Sequence, residues 1–321
     1  MKNGLSSLSV VVSIYNEAEG IHSFWENLYA TLSQLKGLAI EVIFVNDGST
    51  DESEVIIDKI ITNTHFSSIE FCVIAFSKNF GHEAAMIAGI DVSTKDAVVC
   101  MDADLQHPPE KIMEMINSFN KGYEIITMIR EKRKDNGATK NFASKLFYKL
   151  LNTLSDYKFD QNASDYFMIS QRVAEILKEN FRERNRFLRG YIQTVGFSKT
   201  ALKFVAPSRE NGKSNYTLMK LMKLSFNALF SFSNKPLQVS LFISLIFAFF
   251  TASFMLFTLW VYFFGDTPPS GYTTIMIFMS TCFTILFLLI GILSLYFGKS
   301  LEEVRQRPIY LIKEMKKSSN K

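Results

Sequence analysis

Two long stretches of this chain contain no charged residue: Pro236 to Phe264 and Thr267 to Gly298. Each exceeds the ~20 apolar residues that cover the hydrocarbon thickness of a bilayer as a helix. Both are rich in Phe, Leu and Ile. Trp260, Tyr262, Tyr272 and Tyr296 stand near their ends, as anchors at a membrane surface do. The expectation is a transmembrane helical hairpin over 236–298. The rest of the chain is far more polar, so the mean hydropathy of all 321 residues is only +0.10. A soluble protein and a multispan transporter are both poor descriptions. The opening MKNGLSSLSVVVSIYNE shows no long apolar core or cleavage site, so no signal peptide is expected.

Charge is distributed unevenly around these runs. Residues 1–198 carry 21 Lys+Arg against 26 Asp+Glu, a net of −5; residues 199–235 carry seven basic residues and one acid, Glu210. After Gly298 there are seven basic and three acidic residues, whereas GDTPPSGYTT between the runs holds only Asp266. Basic flanks on one side predict that both termini are cytoplasmic. YTLMKLMKLSFNALFSF, just before the first run, places Lys220, Lys223, Asn227 and Ser231 at helical spacing on a narrow polar face. It reads as an interfacial helix over 216–235. Residues 299–321 read as a basic tail. Cys72, Cys100 and Cys282 have no metal-site or disulfide spacing and are expected as buried thiols.

The first 215 residues read as one α/β domain. LSVVVSI, AIEVIFV, IEFCVIAF, AVVCM and YEIITMI are strand-like, and helix-like stretches follow the first four: Glu17–Leu35, a helix opening at Ser49–Glu52, Glu83–Ile90, and one from Pro109. That alternation predicts a mainly parallel sheet with helices on both faces. Arg130–Lys140 reads as a loop, and Arg182 and Arg184 as solvated charges. Polar clusters fall at the strand ends, the edge at which open α/β sheets bind ligands. In VVCMDADLQHPPE a buried strand ends in two carboxylates, Asp102 and Asp104. Two hard oxygen ligands, with positions left for phosphate oxygens, suit Mg²⁺ or Mn²⁺. The competing reading is that Asp104 caps a helix starting at Pro-Pro-Glu.

The order SIYNEAEG, VNDGSTDES, SKNFGHEAAMIAGI, DADLQHPPE resembles glycosyltransferase family two, with its GT-A nucleotide-sugar-binding fold. NASDYFMISQRV, RERNRFLRGY, APSRENGKSNYTLMKL, SFSNKPL and EEVRQRPIYLIKE narrow the likeness to polyisoprenyl-phosphate glycosyltransferases, the bactoprenol glucosyltransferases and dolichol-phosphate mannose synthases among them. The resemblance runs from about Leu8 to about Glu314. It implies an inverting transfer of a sugar, glucose favoured, from a UDP-sugar to undecaprenyl phosphate at the cytoplasmic face of a bacterial plasma membrane. The product would be a lipid-linked sugar for cell-envelope glycans. It also implies membrane lipids as partners, no nucleic acid, and a homo-oligomer such as a tetramer.

By this resemblance Tyr15, Asn16, Glu17 and Asp47 meet the nucleotide, with Lys78, Asn79 and Gly81 lining the same pocket. Carboxylates accept hydrogen bonds from ring N–H groups and hydroxyls; Asp47 equally suits an Asx-turn in Asn-Asp-Gly-Ser, and Lys78 a surface charge. Asp102 and Asp104 would hold the metal, with Ala103 and Gln106 beside it; His107 stands where the family commonly has an acid. Asp165 matches an acid near the acceptor, as a base or an orienting group. Arg130, Arg186, Arg189, Arg209 and Lys213 supply cations for phosphates, the last two for the lipid phosphate. A processive polysaccharide synthase fits less well, because no Gln-x-x-Arg-Trp occurs and two spans do not wall a channel. A non-enzymatic scaffold would not be expected to keep Asp102, Asp104, Arg209 and Lys213.

Overall fold

A computed structural model describes residues 4–64, 69–131, 163–183, 188–205, 207, 235–264 and 271–318. The chain divides into two compact units. One comprises Met1–Leu146, Phe159–Thr217 and Arg307–Lys321; the other comprises Phe147–Lys158 and Leu218–Gln306.

In the first unit the chain runs β1 (Ser7–Ile14), α1 (Ile21–Leu32), β2 (Ala39–Asn46), α2 (Ser53–Asn63), β3 (Ile69–Phe76), α3 (His82–Val92), β4 (Ala97–Asp102), α4 (Lys111–Asn120) and β5 (Ile125–Arg130). After them come β6 (Ala163–Ser170), α5 (Gln171–Asn180), α6 (Leu188–Thr194) and β7 (Lys199–Phe204). The strands form one sheet in the order β7-β5-β6-β4-β1-β2-β3, closed at the β3 edge by a last strand, β8 (Ile312–Ser318). The β1–β2, β1–β4, β2–β3 and β5–β7 pairs are parallel; β4–β6, β5–β6 and β3–β8 are antiparallel. This mostly parallel α/β architecture is the one expected. The near-continuous apolar runs of β1 to β4 are what a strand covered on both faces requires.

Alternate residues show the two faces. Leu8, Val10, Val12 and Ile14 join Phe24, Trp25 and Leu28 of α1, Ile57 of α2 and Ile112 and Met115 of α4 in one core. On the other face α3 lies so close to β1 that a Cβ on Gly89 would fall 2.1 Å from Val11 Cγ1. Here α3 is buried from Ala84 to Ile90 and packs on α5 as well as on the sheet.

Several expectations are corrected. The first helix starts at Ile21 rather than Glu17, because Asn16 turns the chain at φ 54°. The second starts at Ser53, because Ser49 N–H bonds back to Asn46 Oδ1. The fourth starts at Lys111 with Glu110, not Asp104, as its N-cap residue. Arg182 is exposed, as expected, and its Nη1 also meets Asp91 Oδ1 and Oδ2 at 2.8 and 3.0 Å. The supposed tail supplies β8. Arg130 ends β5; most of the expected 130–140 loop, Arg184, and the 216–235 helix up to residue 234 lie outside the described residues. Cys72 and Cys100 are buried, and Cys282 is half-buried.

The second unit contains two helices, α7 (Lys235–Phe264) and α8 (Tyr272–Val304), in contact through Phe254 and Phe278, whose rings stack at 4.5 Å. Among the described residues one helix is long and apolar enough to cross a membrane: α8, over Thr281–Gly298, with a mean hydropathy of 2.2 and none of that stretch buried. In α7 the apolar stretch is shorter, Ser240–Phe254.

Candidate active site

Register builds the site. Ser13, next to last in β1, pairs with Asp102, the last residue of β4. On the other side of β4, the antiparallel register with β6 runs Ala97↔Ser170 to Cys100↔Phe167, which carried forward sets Asp102 opposite Asp165. Ser13, Asp102 and Asp165 therefore stand side by side on three adjacent strands. Above them His82 opens α3. Its Nδ1 lies 2.9 Å from Ser13 Oγ and 3.2 Å from Asp102 Oδ1, and its Nε2 lies 3.5 Å from Asp165 Oδ2. Ser13 Oγ donates to Asp102 Oδ1 at 2.8 Å. Arg189 of α6 grips Asp165 with two parallel bonds, Nε to Oδ1 and Nη2 to Oδ2 at 2.6 Å, the strong bidentate geometry of guanidinium and carboxylate.

These neighbours decide the charge states. Burial opposes charge on His82, but Asp102, then Asp165 and Glu83, outweigh it and push its pKa up to about 10. Burial likewise opposes ionisation of Asp165, yet Arg189 and His82 hold that carboxyl far below the usual range. Glu83, next to His82, is pushed up to about 7 by burial and by Asp165, against the pull of Arg189 and His82.

On the opposite side of β4, His107 is buried and its ring stacks on Tyr166 at 5.1 Å. Its Nδ1 accepts the backbone N–H of Asp102 at 3.0 Å, so the ring proton is on Nε2 and is donated to Ser164 Oγ at 2.9 Å. Burial, and secondarily Arg130, lower its pKa. His107 is thus a neutral strut between the end of β4 and the start of β6, not a ligand. Asp104 follows a different turn: its Oδ1 accepts Gln106 N–H at 3.0 Å, and Leu105 takes the left-handed φ of 62°. A leucine at that φ carries a steric cost and marks a constrained site.

The loops after β1, β2 and β3 are stitched together. Asn16 Oδ1 accepts Thr50 N–H at 2.8 Å, Ser49 Oγ accepts Asn16 N–H, Ser53 Oγ accepts Glu17 N–H, and Asp51 Oδ2 accepts Ala18 N–H, each at 3.0 Å. Asp47 is buried, and its two oxygens accept Phe80 N–H at 2.6 Å and Gly81 N–H at 2.9 Å. Gly48, at φ 67°, allows the closest approach: a Cβ there would lie 2.4 Å from Lys78 C and 2.8 Å from Asn79 N.

Residues named from the sequence therefore separate. Tyr15, Asn16, Lys78 and Asn79 are exposed around one set of loops, with Glu17 and Gly81 half-buried beside them. Asp47 presents both carboxylate oxygens to the backbone of the loop after β3, and the local turn bond in Asn-Asp-Gly-Ser is made by Asn46, which accepts Ser49 N–H. Ala103 is in the core, and Gln106 is buried. Arg189 bonds Asp165 through two of its nitrogens. Arg130 lies at the end of β5, with its Nη2 3.4 Å from His107 Nε2. Arg186, Arg209 and Lys213 lie outside the described residues. The sequence reading missed Ser13, His82, Glu83, Ser49, Asp51 and Ser53. A histidine opening a helix directly after Asn-Phe-Gly was the available signal for His82.

The family model for Glycosyl transferase family 2 matches residues 9–177, the stretch that holds every strand-end cluster from Ser13 to Asp165. The chain belongs to glycosyltransferase family 2. It is a glycosyltransferase with a GT-A-like α/β fold. An uncharacterized glycosyltransferase, YkcC, of Bacillus subtilis is 33% identical over 98% of this chain and 95% of its own length. The Bactoprenol glucosyl transferase of Shigella phage SfX is 33% identical over 96% and 99%, and the prophage bactoprenol glucosyl transferase homolog of Escherichia coli K12 is 32% identical over 97% and 99%. Among solved structures, glucosyl-3-phosphoglycerate synthase from Mycobacterium tuberculosis with Mn²⁺, UDP-glucose and phosphoglyceric acid aligns at TM-score 0.46 and 16% identity, over 70% of this chain and 78% of that one.

The donor set at Asp102 and Asp104 fits a hard divalent cation in this glycosyltransferase. Both side chains are half-buried and bring carboxylate oxygen only, and burial keeps the neighbouring Cys100 a thiol. Among the described residues no group of three or more His, Cys, Asp or Glu converges into a closed cage. A cation held here would complete its shell with substrate oxygens and water, the habit of Mg²⁺.

Proposed function

We propose that this glycosyltransferase moves glucose, with inversion, from UDP-glucose to undecaprenyl phosphate at the cytoplasmic face of a bacterial plasma membrane, providing a lipid-linked sugar for cell-envelope glycans. What carries the reading is the extent of similarity to proteins named bactoprenol glucosyl transferase. It runs through the acidic sheet edge and on through both apolar helices.

Membrane topology follows from connectivity. The residues of β7 before α7 and those of β8 after α8 belong to the same unit. A folded unit lies on one side of a bilayer, so a chain that leaves it and returns crosses an even number of times. With α8 as one crossing, α7 is the other. A 30-residue helix is ~45 Å long at 1.5 Å per residue, ample for the purpose. Seven basic residues before the hairpin and seven after it support a cytoplasmic location for this unit.

In the reaction Asp102 and Asp104 hold Mg²⁺ or Mn²⁺, which when bound offsets the charge developing on the departing UDP. Asn16, Glu17 and the Lys78–Gly81 loop receive the nucleotide. The acceptor phosphate, with a second pKa of ~6, is already largely a dianion at neutral pH and attacks without a strong base. Asp165 suits that chemistry. Held ionised by Arg189 and His82, it is a poor proton acceptor, and it orients a sugar hydroxyl at the site. Arg209 and Lys213 take the lipid phosphate.

The test is to incubate membranes carrying the protein with radiolabelled nucleotide sugars and extract the lipid. Label is expected in the polyprenyl fraction from UDP-glucose, and Asp104→Asn should abolish it. No labelled lipid from any UDP-sugar would overturn the reading. Near-normal transfer by Asp104→Asn with Mg²⁺ or Mn²⁺ present would overturn the metal assignment.

A further inference from the structure

The segment that follows α8 does more than close the sheet. Before β8 begins, Leu311 C=O accepts Ser77 N–H at 3.0 Å, which ties it to the first residue of the loop leaving β3. One residue earlier, the Tyr310 ring stacks on Phe76 at 5.1 Å with the planes 11° apart. Phe76 in turn meets the edge of Phe80 at 5.7 Å and 88°. Tyr310 is fixed from its far end as well: its Oη donates to Asp91 Oδ2 at 2.7 Å, the carboxylate that Arg182 also holds. Phe80 is the residue whose N–H is taken by Asp47, and Lys78 Nζ sits 5.2 Å over its ring. The Ser77–Gly81 loop is therefore clamped twice, by Asp47 from the β2 side and by the Tyr310–Phe76–Phe80 ring stack from the segment after the apolar helix.

We propose that Tyr310 is a positioning residue for the donor loop, holding Ser77–Gly81 in place through Phe76 and Phe80, so that the segment emerging from α8 sets affinity for the sugar nucleotide. The assignment of this loop to the donor rests on the function proposed above. Aromatic pairs of this kind are worth more than their buried area alone, because edge and face charges are complementary. Cutting the stack releases the loop without touching Asp102, Asp104 or Asp165.

The experiment compares Tyr310→Leu, which loses ring and hydroxyl, with Tyr310→Phe, which loses only the hydroxyl, in full-length protein. Two measurements are made: hydrogen exchange of the Phe80 and Gly81 amides, and the split between donor KM and kcat. In Tyr310→Leu the two amides should exchange at least tenfold faster, and donor KM should rise at least fivefold with kcat within twofold of the parent. Tyr310→Phe should recover most of both. Where Tyr310→Leu does not accumulate as folded protein, Phe80→Leu cuts the same stack at its loop end and should give the same pair of changes. Unchanged exchange at Phe80 and Gly81 would overturn the coupling. Faster exchange with unchanged donor KM would overturn the role in donor binding. If the parent protein takes no nucleotide sugar, the proposed function fails instead, and the exchange result still decides the coupling.

Discussion

Replacing His107 with phenylalanine tests whether the strut between β4 and β6 supports the acidic edge. Phenylalanine keeps a ring against Tyr166 but removes both nitrogens. Asp102 N–H then loses its acceptor in a buried place, which costs about 1–3 kcal/mol. The bond to Ser164 Oγ is worth about 0.5–1.5 kcal/mol more, while that hydroxyl still accepts Tyr166 N–H at 3.3 Å. The total, about 1.5–4.5 kcal/mol, corresponds to a melting temperature lower by roughly 3–18 °C in a domain of this size. A second signature is in the pH dependence. His107 has a folded-state pKa below its usual 6.5, because burial first, and Arg130 after it, disfavour the cation. Its contribution to stability is thus present above pH 6.5 and is lost as the pH falls from 6.5 toward the folded value, by at most about 1.4 kcal/mol per pH unit for one proton. The assay is thermal unfolding of detergent-purified protein at pH 8 and pH 5.5. His82 and Glu83, with folded-state pKa values pushed up to about 10 and about 7, favour the folded protein on acidification in parent and variant alike, so the readout is the difference between the two proteins: His107→Phe should start lower at pH 8, and the gap should narrow at pH 5.5. Equal melting temperatures at pH 8, or a gap unchanged at pH 5.5, would refute the strut.

Three further outcomes are expected. Gly48→Ala should raise donor KM at least tenfold, since the new methyl meets the Lys78–Asn79 backbone, which has no flexible end to give, at a φ that alone costs about 1–2 kcal/mol; steady-state kinetics with unchanged KM would count against the packed-loop account. Arg189→Met should cost about 2–3 kcal/mol, below the range for a fully buried pair because Arg189 is 32% exposed. Asp165 contributes stability above its unfolded pKa and loses it as the pH falls through the depressed folded value. Without Arg189 that loss should begin at higher pH, which acid titrations of both proteins would detect. Cysteine placed at Ser270 should react with an impermeant maleimide on intact cells, and cysteine at Ser319 only after lysis; the reverse pattern would invert the topology.

Local pattern carried the first four strands, because each is an unbroken apolar run ending in a polar cluster and all four lie in the parallel part of the sheet, covered on both faces. It carried the Asp102–Asp104 edge for the same reason. It did not carry β6 as the neighbour of β4, a pairing set by tertiary register across more than sixty residues, and so Asp165 could be named but not set beside Asp102. His82 was invisible as a bridge, since nothing in Phe-Gly-His-Glu says which carboxylates lie across from it. The bonds of Asp47 to Phe80 and Gly81 N–H were not legible either, because they join loops more than thirty residues apart. IKEMKKS, β8, alternates charge with few apolar residues and is exposed throughout. It reads as solvated tail because an edge strand needs little burial and benefits from lysines that deter further pairing.

That edge strand also sets an order of events during synthesis. β3 is made early, yet its partner is translated only after α7 and α8. Until then the nascent domain displays a row of unpaired N–H and C=O groups along a largely apolar strand, the kind of edge that recruits other chains. With α7 and α8 crossing the bilayer as proposed above, the sheet would be finished only by chains that have already made their hairpin and brought Ile312–Ser318 back to the starting side. On that proposal a molecule whose hairpin inserts wrongly would keep β3 open, and a defect in the bilayer would be registered as a defect in the folded domain, where proteases and chaperones can reach it.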